Sequence, residues 1–254
     1  MQNQTIGTLK KAGFNLDTGT IRLVAILCMI VDHVGVIFFP YTIWLRIIGR
    51  IAFPLFCYGI VVGSIATHDR KQYALRLLCC AMLSQIPYMA ALGHTWKELN
   101  VIFTLLLGLL AIVGVQQKWH GSEVWGPVLC LLFSAAIQMD YGWKGVMFIL
   151  LMYFAIETRG GLAATVIAFC LFWGVQSMDI SYLFGLSSGT PGTPYSRMLG
   201  PVFALLRLQT CALLALPLIL IPTEGNIKIN KRWFYAAYPG HLIILYLIRL
   251  FTKT

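Results

Sequence analysis

Charge is what this sequence has least of. Asp, Glu, Lys and Arg make up 11% of its 254 residues, where a soluble domain carries about 25%. Acidic side chains are scarcest, nine against 19 Lys and Arg. With 59% apolar residues, too little polar surface remains to cover a water-soluble globule, and so hydrophobic a chain is not disordered either. There is no C-x-x-C pair and no Cys/His metal spacing, which argues against a metal site. The seven cysteines (Cys28, Cys57, Cys79, Cys80, Cys130, Cys170 and Cys211) all lie in apolar stretches and read as small packing residues. No internal repeat is visible.

What is present is a succession of long apolar runs. A spanning helix needs about 20 mostly apolar residues. Nine stretches qualify as candidates: 21–39, 44–66, 73–92, 99–116, 124–139, 141–156, 162–177, 201–222 and 233–252. The predicted fold class is therefore all-α, a polytopic transmembrane helical bundle of about nine spans. Asp140–Tyr141–Gly142 is the turn signal that divides 124–156 into two short spans. Residues 1–20 are polar, carry Gly7, Gly13 and Gly19, and hold no cleavable signal. They predict a short cytoplasmic lead ahead of a single membrane domain over 21–254.

The net charge of +10 would suggest nucleic acid in a soluble protein. Here it reads as positive-inside bias, with the lipid bilayer and not nucleic acid as the partner. With the N-terminus cytoplasmic, the inner segments hold Lys10, Lys11, Arg70, Lys71, Arg76, Lys118, Arg159, Lys228, Lys231 and Arg232. The outer segments hold Lys97, Arg197 and Lys253. That asymmetry predicts a multi-pass protein of the plasma membrane with 223–232 cytoplasmic and the Gly/Ser/Thr/Pro-rich connection 178–200 outside, either as an acceptor lid or as a loose loop.

Ionisable groups within a membrane span are expensive, about 2.5–3.5 kcal/mol each on insertion scales, and mark candidate sites. Arg249 sits near a helix end, Arg46 is within reach of an interface, and Asp140 and Lys144 sit at the turn, so these are discounted. Asp32, His33, Arg50, Arg207 and His241 lie deep in their spans. They form either ion pairs that fix helix register or a polar cavity for reaction or transport; their number favours the cavity.

Helical geometry sharpens the pattern. Arg22 and His33 are 11 residues apart, three turns and about 16 Å along one face. Asp32 points about 100° away from His33, which predicts a partner on another span, such as Arg50. Pro54 cannot donate to the Arg50 carbonyl and predicts a kink beside that arginine. Tyr235, Tyr238 and His241 recur at i, i+3, i+6 as a cavity wall or an interface belt. Asn100 opens the fourth span, as a cap or a ligand donor.

Ile21–Phe39 (IRLVAILCMIVDHVGVIFF) with GRIAFPLF at 49–56 resembles the TraX family of membrane proteins, whose namesake is the F-pilin N-terminal acetylase. Asn100–Val101–Ile102–Phe103, Tyr141–Gly142 with its apolar run, and FYAAYPGHL at 234–242 extend the resemblance across nearly the whole chain. The family is similar in turn to acyltransferase-3 proteins and to heparan glucosaminide acetyltransferase. The Arg22 to His33 spacing matches the Arg, ten residues, His pattern of the former, although this chain is shorter and has fewer spans.

The resemblance implies acetyl transfer from acetyl-CoA, as co-substrate, to an amine: a peptide or protein N-terminus, or an amino sugar. His33 then acts as general base, or attacks the thioester itself as a nucleophile. Asp32, Arg50 and His241 are its implied catalytic neighbours. Arg22, Arg207, Asn100 and Tyr238 are the implied coenzyme A contacts, with Arg22 on the diphosphate. Arg50 and Arg207 are further expected to stabilise an oxyanion or to hold an anionic acceptor group. The alternative class is a membrane transporter of a small polar or anionic solute. Oligomeric state, including a homo-oligomer, is open at this level.

Overall fold

The structure is a computed structural model that describes residues 2–184, 202, 205–223 and 230–252. Helices dominate, and two isolated bridges, Leu99 to Met139 and Asp179 to Arg207, are the β pairing among the described residues. The elements are α1 (Gln2–Lys11), α2 (Thr18–Phe38), α3 (Ile43–Gly49), α4 (Ala52–Ala66), α5 (Arg70–Leu92), α6 (Val101–Gln117), α7 (Ser122–Ala136), α8 (Gly142–Ala155), α9 (Arg159–Gly174), α10 (Leu216–Leu220) and α11 (Lys231–Thr252). Four helical stretches, Thr18–Phe38, Ile43–Ala66, Arg70–Leu92 and Trp233–Thr252, are long and apolar enough to cross a membrane. Shorter apolar helices accompany them at Val101–Gln117, Gly142–Ala155 and Arg159–Gly174. The molecule is a transmembrane helical bundle.

Local chemistry sets the helix ends. Asp17 caps α2 by accepting from the Thr20 N–H at 3.1 Å, and Asp69 caps α5 by accepting from the Gln72 N–H at 2.8 Å. Gly93 stops α5 at φ 75°, a left-handed conformation that glycine adopts without a Cβ clash. The second predicted span breaks where Pro54 requires it. Pro54 falls in the first turn of α4, where a missing N–H costs little, and α3 ends at Gly49.

One expectation needs correction. The stretch 201–222 is not one spanning α-helix. Its described part runs through a bridge at Arg207, a 3₁₀ segment Leu208–Ala215 and the single-turn α10. Apolar composition alone does not separate a continuous helix from a broken one packed inside protein. The polar lead is helical and packed: α1 lies on α4, and Leu9 and Phe14 are buried. Tyr58 donates to the Asn15 carbonyl at 2.9 Å, and Asn15 donates to the Leu218 carbonyl at 2.8 Å. The acceptor-lid expectation falls mainly on 185–200, outside the described residues, as do 224–229 of the cytoplasmic connection.

The core forms around α4, buried along nearly its whole length between α2, α6 and α8. The outer helices turn leucines, isoleucines and phenylalanines outward, as lipid-facing positions require. α11 lies against α5 and α2. That packing carries His241 to His33.

Candidate active site

α2, α3 and the start of α4 build one wall. Asp32 receives Arg46 Nη1 at 2.9 Å and Arg50 Nη2 at 3.0 Å. Arg50 also donates to the Arg46 carbonyl and to Gln209 Oε1, both at 3.4 Å. Asp32 therefore engages both arginines and makes no contact with His33, as the 100° offset along α2 predicts. It holds two guanidinium groups at a partly buried site, where removal of one partner would leave the others' charge unpaired. Gly49 is required at this contact, because a Cβ there would overlap the Asp32 carboxylate.

His33 is oriented from behind. Its Nδ1 lies 2.8 Å from His241 Nε2, with the two rings within 10° of coplanar orientation. His241 Nδ1 lies 2.9 Å from the Ala237 carbonyl oxygen. A carbonyl only accepts, so His241 Nδ1 carries the proton. The neutral His241 ring then has an acceptor at Nε2, and His33 Nδ1 must donate to it. That leaves the lone pair of His33 on Nε2, the other edge of the ring. His241 is 7% exposed, so its bonds are largely shielded from solvent. A backbone carbonyl 204 residues beyond His33 in sequence thus fixes the tautomer of the candidate base.

His33 lines a cavity of about 390 Å³ with Asp32, Arg46, Arg50, His94, Asp140 and Tyr141. The last three come from connections, one after α5 and one between α7 and α8. Leu99 N–H donates to the Gln138 carbonyl at 3.0 Å, and Asp140 N–H to the Leu99 carbonyl at 2.9 Å. Thr104 donates its hydroxyl proton to the Asp140 carbonyl. Tyr141 takes φ 65°, an unusual conformation for a bulky residue, and is held there by stacking on Phe53 at 3.7 Å between ring centres. Beside the cavity, the Thr95 N–H and hydroxyl hold the Glu98 carboxyl below its ordinary range, with His94 at 3.4 Å.

Beside the cavity lies a smaller, apolar space of about 90 Å³ that shares Met29, Phe56 and Val101 as wall residues and extends to Arg22, Tyr73 and Tyr235. Tyr238 lines this passage, and its buried hydroxyl has no hydrogen-bond partner among the described residues. At the far end Arg22 and Arg76 open into a third space of about 140 Å³ with Thr18, Tyr73 and Thr67. Among the described residues neither arginine has a carboxylate within ion-pair distance, and Arg76 Nε is buried without a partner. The three spaces thus follow one another along α2 with shared wall residues, the His33 cavity at one end and the two arginines at the other.

The predicted site residues divide accordingly. Asp32 joins Arg50, His33 joins His241, and Arg22 and Tyr238 share the passage. Asn100 does not reach it: its Oδ1 caps α6 on Ile102 N–H at 3.0 Å, and its Nδ2 donates to Ala81 O and Gln85 Oε1, both at 2.9 Å. It is a buried structural cap. Arg207 turns away as well, donating to the Ser177 carbonyl at 3.0 Å. It lines none of the three spaces. Arg46, Arg76, Asp140 and Tyr141 enter the site although sequence reasoning discounted or passed over them. A positive charge one turn before Arg50 was a legible signal for Arg46; the inward turn at Asp140 had none.

The TraX protein family model matches residues 17–249 of this chain. This chain belongs to the TraX family. The match spans α2 through most of α11 and so takes in every residue of the His33 cavity and the passage. Among curated relatives of this TraX family member, a probable fimbrial assembly protein FimC, serogroup H1, of Dichelobacter nodosus is 29% identical over 146 residues, 52% of this chain and 59% of that protein. Protein TraX of Escherichia coli is 23% identical over 163 residues, 63% of this chain and 65% of that protein. The chain thus spans about three-fifths of the length of these relatives. No solved structure matches.

Proposed function

We propose that this protein is a membrane acetyltransferase that moves an acetyl group from acetyl-CoA to an amine, with His33 as general base. The observation that carries the reading is the chain His33 Nδ1–His241 Nε2 and His241 Nδ1–Ala237 O, which puts the His33 lone pair on Nε2, in a polar cavity that shares walls with an apolar space. A thioester needs a base beside its carbonyl, an apolar slot for its arm and cations for its phosphates. The passage offers these in sequence. Arg22 and Arg76 receive the diphosphate, and the pantetheine arm extends along Ile26, Met29 and Phe56. The orphan Tyr238 hydroxyl donates to a carbonyl of that arm.

The amine attacks the thioester carbonyl, forming a C–N bond. His33 takes the proton that the nitrogen loses, the C–S bond breaks, and the coenzyme A thiolate leaves and is protonated by the His33 imidazolium. The charge that His33 gains is shared with His241, because the Nδ1 proton can move toward His241 Nε2. In this reading the basic mouth faces the cytoplasm and the His33 cavity the outside. The excess of Lys and Arg on inner segments, with 67–72 beside the mouth and 93–98 beside the cavity, supports that orientation. The name of the Dichelobacter relative, a probable fimbrial assembly protein, supports a peptide or protein N-terminus as acceptor; an amino sugar is the second candidate.

Arg22 tests the donor site. A phosphate contact far from the thioester is made equally in ground and transition states. Arg22→Ala is expected to raise KM for acetyl-CoA more than it lowers kcat, and Arg22→Lys to recover part of the loss. Raised salt should weaken coenzyme A binding to the parent protein and weaken it less in Arg22→Ala. Steady-state kinetics and coenzyme A titrations on monodisperse detergent-purified protein check this. An unchanged KM in Arg22→Ala removes Arg22 from the donor site.

A further inference from the structure

The polar groups facing the His33 cavity differ in whether they are already engaged. Both guanidinium groups are: Arg46 and Arg50 hold Asp32, and Arg50 also reaches Gln209. Asp32 is engaged in return. His94 lies against Glu98 and is stacked on Tyr88. The Asp140 carboxylate has no hydrogen bond and no ion pair within 4.0 Å among the described residues, although it lines the same cavity. It is not there by looseness. The backbone N–H and carbonyl of Asp140 are both bonded, to Leu99 and Thr104, and the next residue is locked by its ring stack on Phe53. A rigid turn therefore presents to the cavity of the candidate base a carboxylate that lies in the field of Arg50, His94 and Arg46 but is hydrogen-bonded to none of them among the described residues.

An unpaired carboxylate in a partly dry cavity is costly, and a cation removes that cost. The cavity's guanidinium groups are hydrogen-bonded to Asp32 and reach Asp140 only through space, so an anionic acceptor group would compete with Asp32 for them, whereas a cationic one finds the Asp140 carboxylate without a hydrogen-bonded partner.

We infer that Asp140 binds the ammonium group of the acceptor and makes the site selective for a primary amine over an alcohol, an inference that rests on the acetyltransferase reading. Asp140 accepts two of the ammonium N–H groups and holds the nitrogen in the cavity. One proton of the ammonium passes to His33 Nε2, and the positive charge stays within reach of Asp140 as the imidazolium. The neutral amine then forms the C–N bond as the C–S bond breaks. The imidazolium protonates the leaving thiolate, and the neutral His33 then takes the second nitrogen proton and passes it to solvent, so that ammonium plus thioester gives amide, thiol and one proton. Asp140 acts here as a positioning and specificity residue, and His33 makes the proton transfer.

The test uses the full chain in lipid nanodiscs with two probes: tetraglycine amide, which has a free amine, and its glycolyl counterpart, in which a hydroxyl replaces that amine. The parent protein is expected to acetylate the amine probe in strong preference. Asp140→Asn should raise KM for the amine probe by at least about tenfold, the loss of one charge-assisted hydrogen bond. KM for acetyl-CoA should stay unchanged and the preference over the hydroxyl probe should collapse. Asp140→Glu should restore part of it. A separate reading needs no chemistry: the amine probe alone should raise the thermal midpoint of the parent protein, and neither the hydroxyl probe with the parent nor the amine probe with Asp140→Asn should do so.

If the parent transfers no acetyl group yet shows this amine-specific thermal shift, the acetyltransferase reading fails and the ammonium site stands. Equal handling of the two probes by the parent protein overturns the ammonium site and leaves the transferase reading intact, even if Asp140→Asn does not fold. So does an equal change in KM for both probes in Asp140→Asn.

Discussion

Replacing His33 with alanine is expected to lower acetyl transfer by about 10²–10⁴-fold, the usual contribution of a general base. Coenzyme A affinity should hold, because the phosphate end of the passage lies about three helical turns, or about 16 Å, from His33. The fold should also hold: His33 is half-buried and, among the described residues, its side chain is bonded only to His241, so its removal leaves one imidazole acceptor open and does not strand a charge. The pairing of lost transfer with retained affinity separates a catalytic role from a packing role. Acetyl-transfer rates and coenzyme A calorimetry on the same purified fraction check it. Near-normal transfer in His33→Ala would remove the assignment. A pulse of acetyl-labelled donor without acceptor divides the two chemistries His33 permits. No label should stay on the protein if His33 is a base, whereas label on His33 would make it the nucleophile.

The second large effect is expected at His241, which touches no substrate in this reading. His241→Ala removes the acceptor that holds the His33 Nδ1 proton. The His33 ring is then free to rotate and to place its proton on Nε2, which is the wrong tautomer for a base. Transfer should fall by about 10²-fold, the lower range for a general base, mostly in kcat. His241→Gln should recover part of the rate, since its amide oxygen can accept from His33 Nδ1. The double variant His33→Ala with His241→Ala should be no worse than His33→Ala alone, because the two rings act as one unit. Additive losses would mean that His241 acts independently of His33.

The class of the molecule and much of its skeleton were legible from composition and spacing. Scarce charge and recurrent apolar runs dictate a membrane bundle. Pro54 dictates the break between α3 and α4, and the offset of Asp32 from His33 dictates a partner on another helix. The parts that were not legible depend on how distant segments dock. His33 and His241 are 208 residues apart, and nothing in the spacing of α2 or α11 requires their rings to meet. Asp140 reads as an exposed turn residue until the bridge between Leu99 and Met139 folds that turn inward. Asn100 shows the reverse. A buried amide at the start of a span reads equally as ligand or cap, and only its full set of bonds to Ile102, Ala81 and Gln85 assigns it to the cap. Arg207 reads as deep in a helix because 201–222 is apolar, yet its segment is a bridge followed by a 3₁₀ turn, and the guanidinium serves the Ser177 carbonyl.

The most direct measurement is release of free coenzyme A thiol from acetyl-CoA by the purified protein, with and without an amine acceptor, alongside mass spectrometry of that acceptor. Acetylation by His33 predicts thiol release that rises with the amine, matches the acetylated product mole for mole, and disappears in His33→Ala. Coenzyme A binding without such release, or no coenzyme A binding by a monodisperse preparation, would contradict acetyl transfer; the second result would point to transport through the same cavity.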